Sequence, residues 1–318
     1  MQVRESTPEE RHEFYAEEWN KHDLPDSILH TLSLREFGFD LDGSGPSNRY
    51  NQFITVEQLA DFLRNRAPYA AYASVALYEQ PSMRKGWLKS ELVFDVDAKD
   101  LPLRTCDCSG QNICEHCLDQ ARMVAIQLAE TMRTDLDMRN IYFVYSGRGF
   151  HVRVTDEAVM TLEQTERAQL VEYITGSVIP TDVTMVLGYS RIFRDRIART
   201  FERLDEQRLL QVQGMRKALA KKLVEEKEKV LASIRNGRLK DLEGFEGLGP
   251  KTFRQLLEFL TRLNLEFTDG KVTIDTKRIL RLPSSLHSGV SMRCMVVRDM
   301  EHFSPEQAVP KFMREQVH

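Results

Sequence analysis

Apolar and polar residues recur along the 318-residue chain at two different spacings, one typical of helices and one typical of strands. Helical spacing predicts helices at residues 8–20, 55–65 and 118–134. Thr7 with Glu10, and Thr55 with Gln58, stand three residues apart, as in the capping boxes that begin helices. Strand-like runs are REFGFDLDG, ASVALY, ELVFDVD, IYFVYS, FHVRV, KVTID and RILRLPSSLH.

The chain changes character near residue 191. From there to residue 240 it is rich in Arg, Lys, Glu and Leu, and poor in Gly, which predicts one or two long solvated helices. Strand-like segments return after about residue 265. We therefore expect an α/β core formed by residues 1–190 and 266–318, interrupted by a helical insertion at 191–265.

Composition narrows the class of protein. With 42% hydrophobic and 29% charged residues, the chain is typical of a globular protein. It has no apolar run near the roughly 20 residues of a membrane span, and no apolar leader, so we expect an intracellular protein without a membrane segment. The net charge of −4 is not that of a protein that holds nucleic acid mainly by its phosphates. Either a contact with DNA is local and weak, or a partner supplies more of it.

The segment ELVFDVD is the most informative one for chemistry. In a strand, Val93, Asp95 and Asp97 share one face, and two carboxylates so close repel each other unless a cation lies between them. Hard cations such as Mg²⁺ or Mn²⁺ prefer such oxygen ligands. The alternative is a strand end with two solvated aspartates.

Two further segments contain residues suited to binding phosphates. KVTID, read as a strand, provides a third carboxylate at Asp275, and Lys277, Arg278, Arg281 and His287 follow it. In SGRGFH, glycines that allow close approach of the backbone stand among the donors Ser146, Arg148 and His151. Three carboxylates with two metals are the apparatus of nucleotidyl transfer. An ordinary basic surface and a plain hairpin turn are the alternatives.

Four of the five cysteines lie within twelve residues, in a loop at about 104–118. This spacing predicts a closed, structural Zn²⁺ site formed by Cys106, Cys108, Cys114 and Cys117, with His116 as a possible replacement for one thiolate. Cys294 stands alone and is expected to be a buried apolar residue.

In this order, the motifs REFGFD, YEQPSMRKGW, ELVFDVDAKDLP, the cysteine cluster, SGRGFHVRV and TIDTKRILRLPSSLH resemble the small subunit of archaeo-eukaryotic DNA primases along most of the chain. The resemblance implies a mixed-sheet α/β catalytic core with a zinc knuckle. It also implies that Asp95, Asp97 and Asp275 bind the catalytic metals, and that the nucleotide triphosphate is contacted by Ser146, Arg148, His151, Arg281, His287 and Arg49.

The activity that the resemblance implies is template-directed synthesis of short RNA primers on single-stranded DNA, with DNA primers as an open question. It further implies nucleoside triphosphates as substrates, Mg²⁺ or Mn²⁺ as cofactors and a large primase subunit as partner. An archaeal cytoplasm is the expected location, or a nucleus if the source is eukaryotic. Two other functions remain open: a primase-polymerase that extends ends during repair, and a non-catalytic, zinc-stabilised nucleic-acid-binding subunit.

Overall fold

The structure, a computed structural model, describes residues 3–106, 108, 113–185 and 187–314. Its helices are α1 (Pro8–Glu13), α2 (Asp26–Leu29), α3 (Val56–Arg66), α4 (Glu115–Leu136), α5 (Glu157–Met160), α6 (Gln164–Thr175), α7 (Tyr189–Glu202), α8 (Glu206–Leu209), α9 (Lys217–Glu225), α10 (Lys227–Arg235), α11 (Pro250–Glu266), α12 (Gly270–Ile274) and α13 (Lys311–Arg314). Its strands are β1 (Phe37–Asp40), β2 (Asn48–Asn51), β3 (Ala70–Ser74), β4 (Ala76–Gln80), β5 (Lys85–Ser90), β6 (Leu92–Asp97), β7 (Ile141–Tyr145), β8 (Gly149–Val154), β9 (Ile279–Arg281) and β10 (Met295–Val297).

Two four-stranded antiparallel sheets form the centre of the α/β part. The first has the strand order β2-β1-β3-β9, and the second has the order β10-β7-β8-β6. A separate hairpin, β4 with β5, leads from the first sheet into β6. Because β9 and β10 follow α7 to α11 along the chain, each sheet combines strands from before and after that helical segment.

Each sheet buries one face against helices. Phe37 and Phe39 of β1 pack with Phe14 and Tyr15, which follow α1, and with apolar residues of α3. In the second sheet, Phe94 and Val96 of β6 pack against α4. Val93 points the other way, into a small cluster with Val75, Val272 and Leu280 that joins the two sheets. The period-two alternation predicted for ELVFDVD is therefore confirmed.

Helices α7 to α11 share a hydrophobic core of their own, distinct from the cores of the two sheets. The expectation of one or two long helices between residues 191 and 240 was wrong, because the described chain breaks there into α7, α8, α9 and α10. Turns containing Gly214 and Gly237, both with positive φ, separate α8 from α9 and end α10. Within the described residues, no helix combines the length and the apolarity that a membrane crossing requires.

The predicted strand KVTID is a short helix, α12. The side chain of Asp269 caps it by accepting a hydrogen bond from the backbone N–H of Lys271, and the buried Val272 packs against Val93 of β6. These contacts outweigh the strand preference of the β-branched residues. Elsewhere both capping boxes are present as predicted, although the first helix ends at Glu13 and continues as a π-helical turn.

Candidate active site

Strands β6 and β8 place the predicted acidic and basic residues side by side. In the antiparallel register, Asp95 lies directly opposite His151, and Asp97 lies opposite Gly149. Directly opposed residues project from the same face of a sheet. The Nε2 atom of His151 lies 3.5 Å from an Oδ1 of Asp95, and a terminal nitrogen of Arg148 donates to Oδ2 of Asp97 at 3.2 Å.

On this face of the sheet, the carboxylates of Asp95 and Asp97 lie close together beside the neutral imidazole of His151. Burial, with the nearby charges of Asp97 and Asp269, raises the pKa of Asp95 to about 7. Burial, with the cations Arg153 and Arg281, lowers the pKa of His151 to about 3. His151 is therefore uncharged at neutral pH, and it does not relieve the repulsion between the carboxylates.

The turn SGRGFH connects β7 to β8 and depends on both of its glycines. Gly147 has a φ of +102°, and a Cβ atom there would lie 2.7 Å from Cβ of His287. A Cβ atom at Gly149 would lie 2.2 Å from the carbonyl oxygen of Val96. The predicted close approach of the backbone is confirmed, and it brings His287, from the far end of the chain, against this turn.

His287 is buried and uncharged. Burial, together with the nearby cations Arg281, Arg148 and Lys99, lowers its pKa to about 2. Its Nδ1 atom accepts a hydrogen bond from the backbone N–H of Gly289 at 3.1 Å. In a neutral imidazole with an accepting Nδ1, the proton is on Nε2, so His287 presents an N–H donor.

Arg281 links the two sheets at the site. From β9 of the first sheet, its guanidinium donates to the carbonyl oxygen of Ser146 in the β7–β8 turn at 3.2 Å. The same guanidinium lies 5.5 Å from the centre of the Tyr72 ring. Ser146, Arg148, His151, Arg281 and His287, predicted from separate motifs, are thus brought together around Asp95 and Asp97.

Asp275 and Arg49 lie on an adjoining cavity of about 400 Å³. Its other lining residues, mostly cationic or aromatic, are Pro46, Tyr72, Arg84, Lys277, Arg278 and Ile279. Tyr72 connects this cavity to Arg281. Such a concentration of guanidinium and ammonium groups beside a carboxylate suits a ligand that contains phosphates.

A buried acid, Glu36, orients two of these cations, and sequence analysis missed it. Its Oε1 atom accepts from Nε of Arg49 at 2.7 Å, and its Oε2 atom lies 3.4 Å from Nε of Arg84. Arg84 is in the left-handed region, with a φ of +52°, and also donates to the carbonyl oxygen of Lys277. The available signal was a glutamate at the start of an apolar strand, where a charge needs a partner.

The carboxylates suit a hard divalent cation by their chemistry. Asp95 and Asp97 offer oxygen atoms on one recessed face, and the raised pKa of Asp95 reflects a repulsion that a cation would remove. The structure does not draw Asp275 into a tight group with them. Among the described residues, a group of three or more His, Cys, Asp or Glu side chains with all ligand atoms within 4.8 Å of one another is found at the four cysteines, and not at the aspartates. The negative charge that adds to that of Asp97 at Asp95 comes from Asp269.

A buried ion-pair network anchors the start of β6. Both oxygens of Glu91 are used, one 2.5 Å from Arg35 and the other 2.7 Å from Arg153. None of the three side chains is more than 1% exposed. Arg35 belongs to the segment before β1 and Arg153 to β8, so the network fixes β6 between the two sheets.

The cysteine cluster lies at the N-terminus of α4. The Sγ atoms of Cys106 and Cys117 are 2.9 Å apart, and those of Cys114 and Cys117 are 3.6 Å apart. The Sγ atoms of Cys106, Cys108, Cys114 and Cys117 all lie within 4.8 Å of one another, so the four thiols could hold a single Zn²⁺ ion. His116 is turned towards Thr105, 2.6 Å from its hydroxyl. Asp107 and residues 109–112, in the same predicted knuckle, lie outside the described residues.

The sequence was also compared with known proteins. The family described as DNA primase small subunit matches residues 94–299. Three relatives are each named DNA primase small subunit PriS. That of Methanothermobacter thermautotrophicus is 43% identical over 98% of this chain and 97% of its own length. That of Methanobrevibacter smithii is 42% identical over 98% of both chains, and that of Pyrococcus horikoshii is 41% identical over 100% of this chain and 96% of its own. The chain belongs to the family of DNA primase small subunits.

Proposed function

We propose that this chain synthesises short RNA primers on single-stranded DNA, as the catalytic subunit of a primase. The observation that supports it best is the placement of Asp95 and Asp97 on one face of β6, directly opposite His151 and Gly149. Its similarity to primase small subunits over nearly the whole chain supports the same assignment.

In this proposal, Asp95, Asp97 and Asp275 hold Mg²⁺ or Mn²⁺ ions. Such ions, when bound, activate the attacking 3′-hydroxyl and neutralise the leaving pyrophosphate. Arg148, which donates to Asp97, holds that carboxylate in position.

The protein's own cations bind the substrate. Arg49, Arg84, Lys277 and Arg278, around the cavity beside Asp275, neutralise the triphosphate of the incoming nucleotide. His287 adds an uncharged N–H donor from Nε2, and Ser146 and His151 complete the polar wall. The transfer requires positioning and charge neutralisation, and no covalent intermediate with the enzyme.

The cysteine cluster holds a structural Zn²⁺ in this proposal. Four thiolates leave no open position for a substrate, and the ion supplies a cross-link between the loop and α4. The name of the relatives, small subunit, supports a large subunit as partner. That partner would also supply template contacts that a chain of net charge −4 does not provide by itself.

The experiment is nucleotide incorporation on single-stranded DNA, with and without a supplied primer, for both ribonucleotides and deoxyribonucleotides. Asp95→Asn and Asp97→Asn should abolish dinucleotide synthesis while the unfolding transition remains. Asp100→Asn, an exposed carboxylate just beyond β6, is the matched control. Full activity of either site variant would exclude the proposal, and extension of primers without initiation would identify a repair primase-polymerase.

The role of Asp275 as the third metal ligand is tested by comparing it with Asp269. Asp275→Asn should abolish incorporation, whereas Asp269→Asn should reduce it only a few-fold. Asp269 is already engaged as the cap of α12 and acts on Asp95 through its charge. The reverse order of effects would show that Asp269, and not Asp275, completes the metal site.

A further inference from the structure

Helix α12, which precedes Asp275, is attached to β6 at its N-terminal end through main-chain bonds. The backbone N–H of Asp269 donates to the carbonyl oxygen of Asp95 at 3.0 Å, and the hydroxyl of Thr268 donates to the same oxygen at 2.9 Å. The start of α12 is therefore fixed directly to one of the two catalytic aspartates.

The other end of this segment is fixed to Ser90, the last residue of β5, two residues before β6 begins. The hydroxyl of Ser90 donates to the carbonyl oxygen of Thr276, the residue after Asp275, at 2.6 Å. Between the two ends, Val272 packs against Val93. Asp275 thus lies on a segment that is hydrogen-bonded at one end to β6 and at the other end to the residue before the β5–β6 junction.

Arg167 of α6 contacts both the α12 segment and the residues just before β6. It is 1% exposed, and its guanidinium donates to the carbonyl oxygens of Ser90 at 2.7 Å, Glu91 at 2.9 Å and Leu162 at 2.9 Å. A fourth carbonyl, that of Thr273 in α12, lies 3.5 Å away. One side chain therefore connects α6, the start of β6 and the last turn before Asp275.

The charge of Arg167 is directed towards the same carboxylate. In the part of the chain that the structure describes, no carboxylate lies within ion-pair distance of its guanidinium. Burial lowers the pKa of Arg167 to about 10, and the negative charge of Asp275 opposes that shift. The buried cation and the third carboxylate are thus coupled across the segment that Arg167 holds.

We propose that Arg167 is a positioning residue for metal binding: by donating to the carbonyl oxygens of Ser90 and Glu91 and lying against that of Thr273, it holds the segment of Asp275 against the strand of Asp95 and Asp97. This inference rests on the proposed function, in which the three aspartates bind the metal ions. Arg167 itself touches neither the metals nor the substrate, and acts by fixing where Asp275 can lie.

The test is the dissociation constant for Mn²⁺, measured by electron paramagnetic resonance of the free ion with full-length protein and no nucleotide. Arg167→Met should weaken Mn²⁺ binding about tenfold, the size expected when an outer-shell partner of a metal ligand is lost. Arg167→Lys retains the charge and part of the hydrogen bonding, and should give an intermediate value.

Arg196→Met is the matched control. Arg196 is also a buried arginine whose pKa burial lowers to about 10, and it donates to the carbonyl oxygens of Ile174 and Gln127. It lies in α7, away from α12 and β6. Its loss should lower the melting temperature as much as the loss of Arg167 does, and leave Mn²⁺ binding unchanged.

Three outcomes are distinguishable. If Arg167→Met folds and binds Mn²⁺ as the wild type does, the positioning role is overturned. If Asp275→Asn itself binds Mn²⁺ normally, the metal site of the proposed function is wrong. If Arg167→Met does not fold, Ser90→Ala decides by the same measurement. This variant removes the hydrogen bond to Thr276 at the same end of the segment, together with the one accepted from Trp87, and unchanged binding there overturns the inference.

Discussion

The carboxylate of Glu36 and the guanidinium of Arg49 are 2.7 Å apart, with Glu36 fully buried at the start of β1 and Arg49 on the wall of the candidate nucleotide cavity. The other oxygen of Glu36 lies near Arg84 of the same wall. One buried anion therefore holds two cations that come from different segments of the chain, β2 and the turn before β5. This arrangement preorganises the cavity for a polyanion before one is bound.

Glu36→Gln should weaken nucleotide binding without removing any group that contacts the nucleotide. We expect the KM for nucleotides to rise about tenfold, the effect of losing one charge-assisted hydrogen bond of about 1.5 kcal/mol, with a smaller change in kcat. Steady-state incorporation at varied nucleotide concentration measures both. Glu57→Gln, which removes an exposed ion pair with Lys21, should change neither. An unchanged KM in Glu36→Gln would show that Arg49 and Arg84 do not bind the nucleotide.

Comparing Gly147→Ala with Gly45→Ala should separate the effect of backbone strain on stability from the effect of displacing His287 on activity. A Cβ atom at Gly147 meets the His287 side chain, and φ there is +102°. Gly45 has a similar φ of +109°, but no other atom lies within 4 Å of its added Cβ. Both variants should lose about 1 kcal/mol of stability or more from the strained φ. Gly147→Ala should lose more than Gly45→Ala because its Cβ atom clashes with His287, and only Gly147→Ala should lose activity, by about tenfold or more. Equal activities, measured beside the two melting temperatures, would remove His287 from the site.

Glu91→Gln should be among the most destabilising single changes at the site. Burial tends to raise the pKa of Glu91, but Arg153 and Arg35 outweigh it and hold that pKa below its ordinary value. The pair therefore stabilises the protein fully above about pH 4.3, the unfolded value, and this contribution is lost as pH falls through the lower folded value. At pH 7 the variant should lose about 3–5 kcal/mol.

Urea unfolding of wild type and Glu91→Gln at pH 7, 5 and 3.5 tests this sign. The difference in the free energy of unfolding should be constant between pH 7 and 5, and it should narrow only at the lowest pH. Glu157→Gln, which breaks the exposed pair with Lys89, provides the comparison at every pH. A difference that widens on acidification would contradict the assignment of charge to Glu91.

Zinc content gives the fourth prediction. Purified protein should contain one Zn²⁺ per chain by elemental analysis, and Cys106→Ser or Cys117→Ser should release it and lower the melting temperature. Cys294→Ala is the control, since Cys294 is buried far along the chain and is not part of the four-cysteine cluster. A protein without zinc in which all five thiols are reduced would contradict the prediction.

Several features of the site followed from local sequence patterns. The alternation in ELVFDVD is enough to place Asp95 and Asp97 on one face, because side chains in a strand alternate whatever the strand pairs with. The spacing of the four cysteines within one loop is enough to bring their sulfur atoms together. The capping boxes at Thr7 and Thr55 are likewise formed within one turn of chain.

The sequence by itself therefore determined the identity of the reactive groups and the local geometry of each motif. The tertiary structure decided which groups meet. The segment KVTID forms a helix because Asp269 and Val272 contact residues of β6. Five residues are too few for the spacing of apolar residues to distinguish a helix from a strand. Glu36 contacts Arg49 and Arg84 because segments from distant parts of the chain pack together. Arg167 contacts the segment of Asp275 for the same reason. Contacts of that kind depend on burial and long-range pairing, which no local spacing encodes.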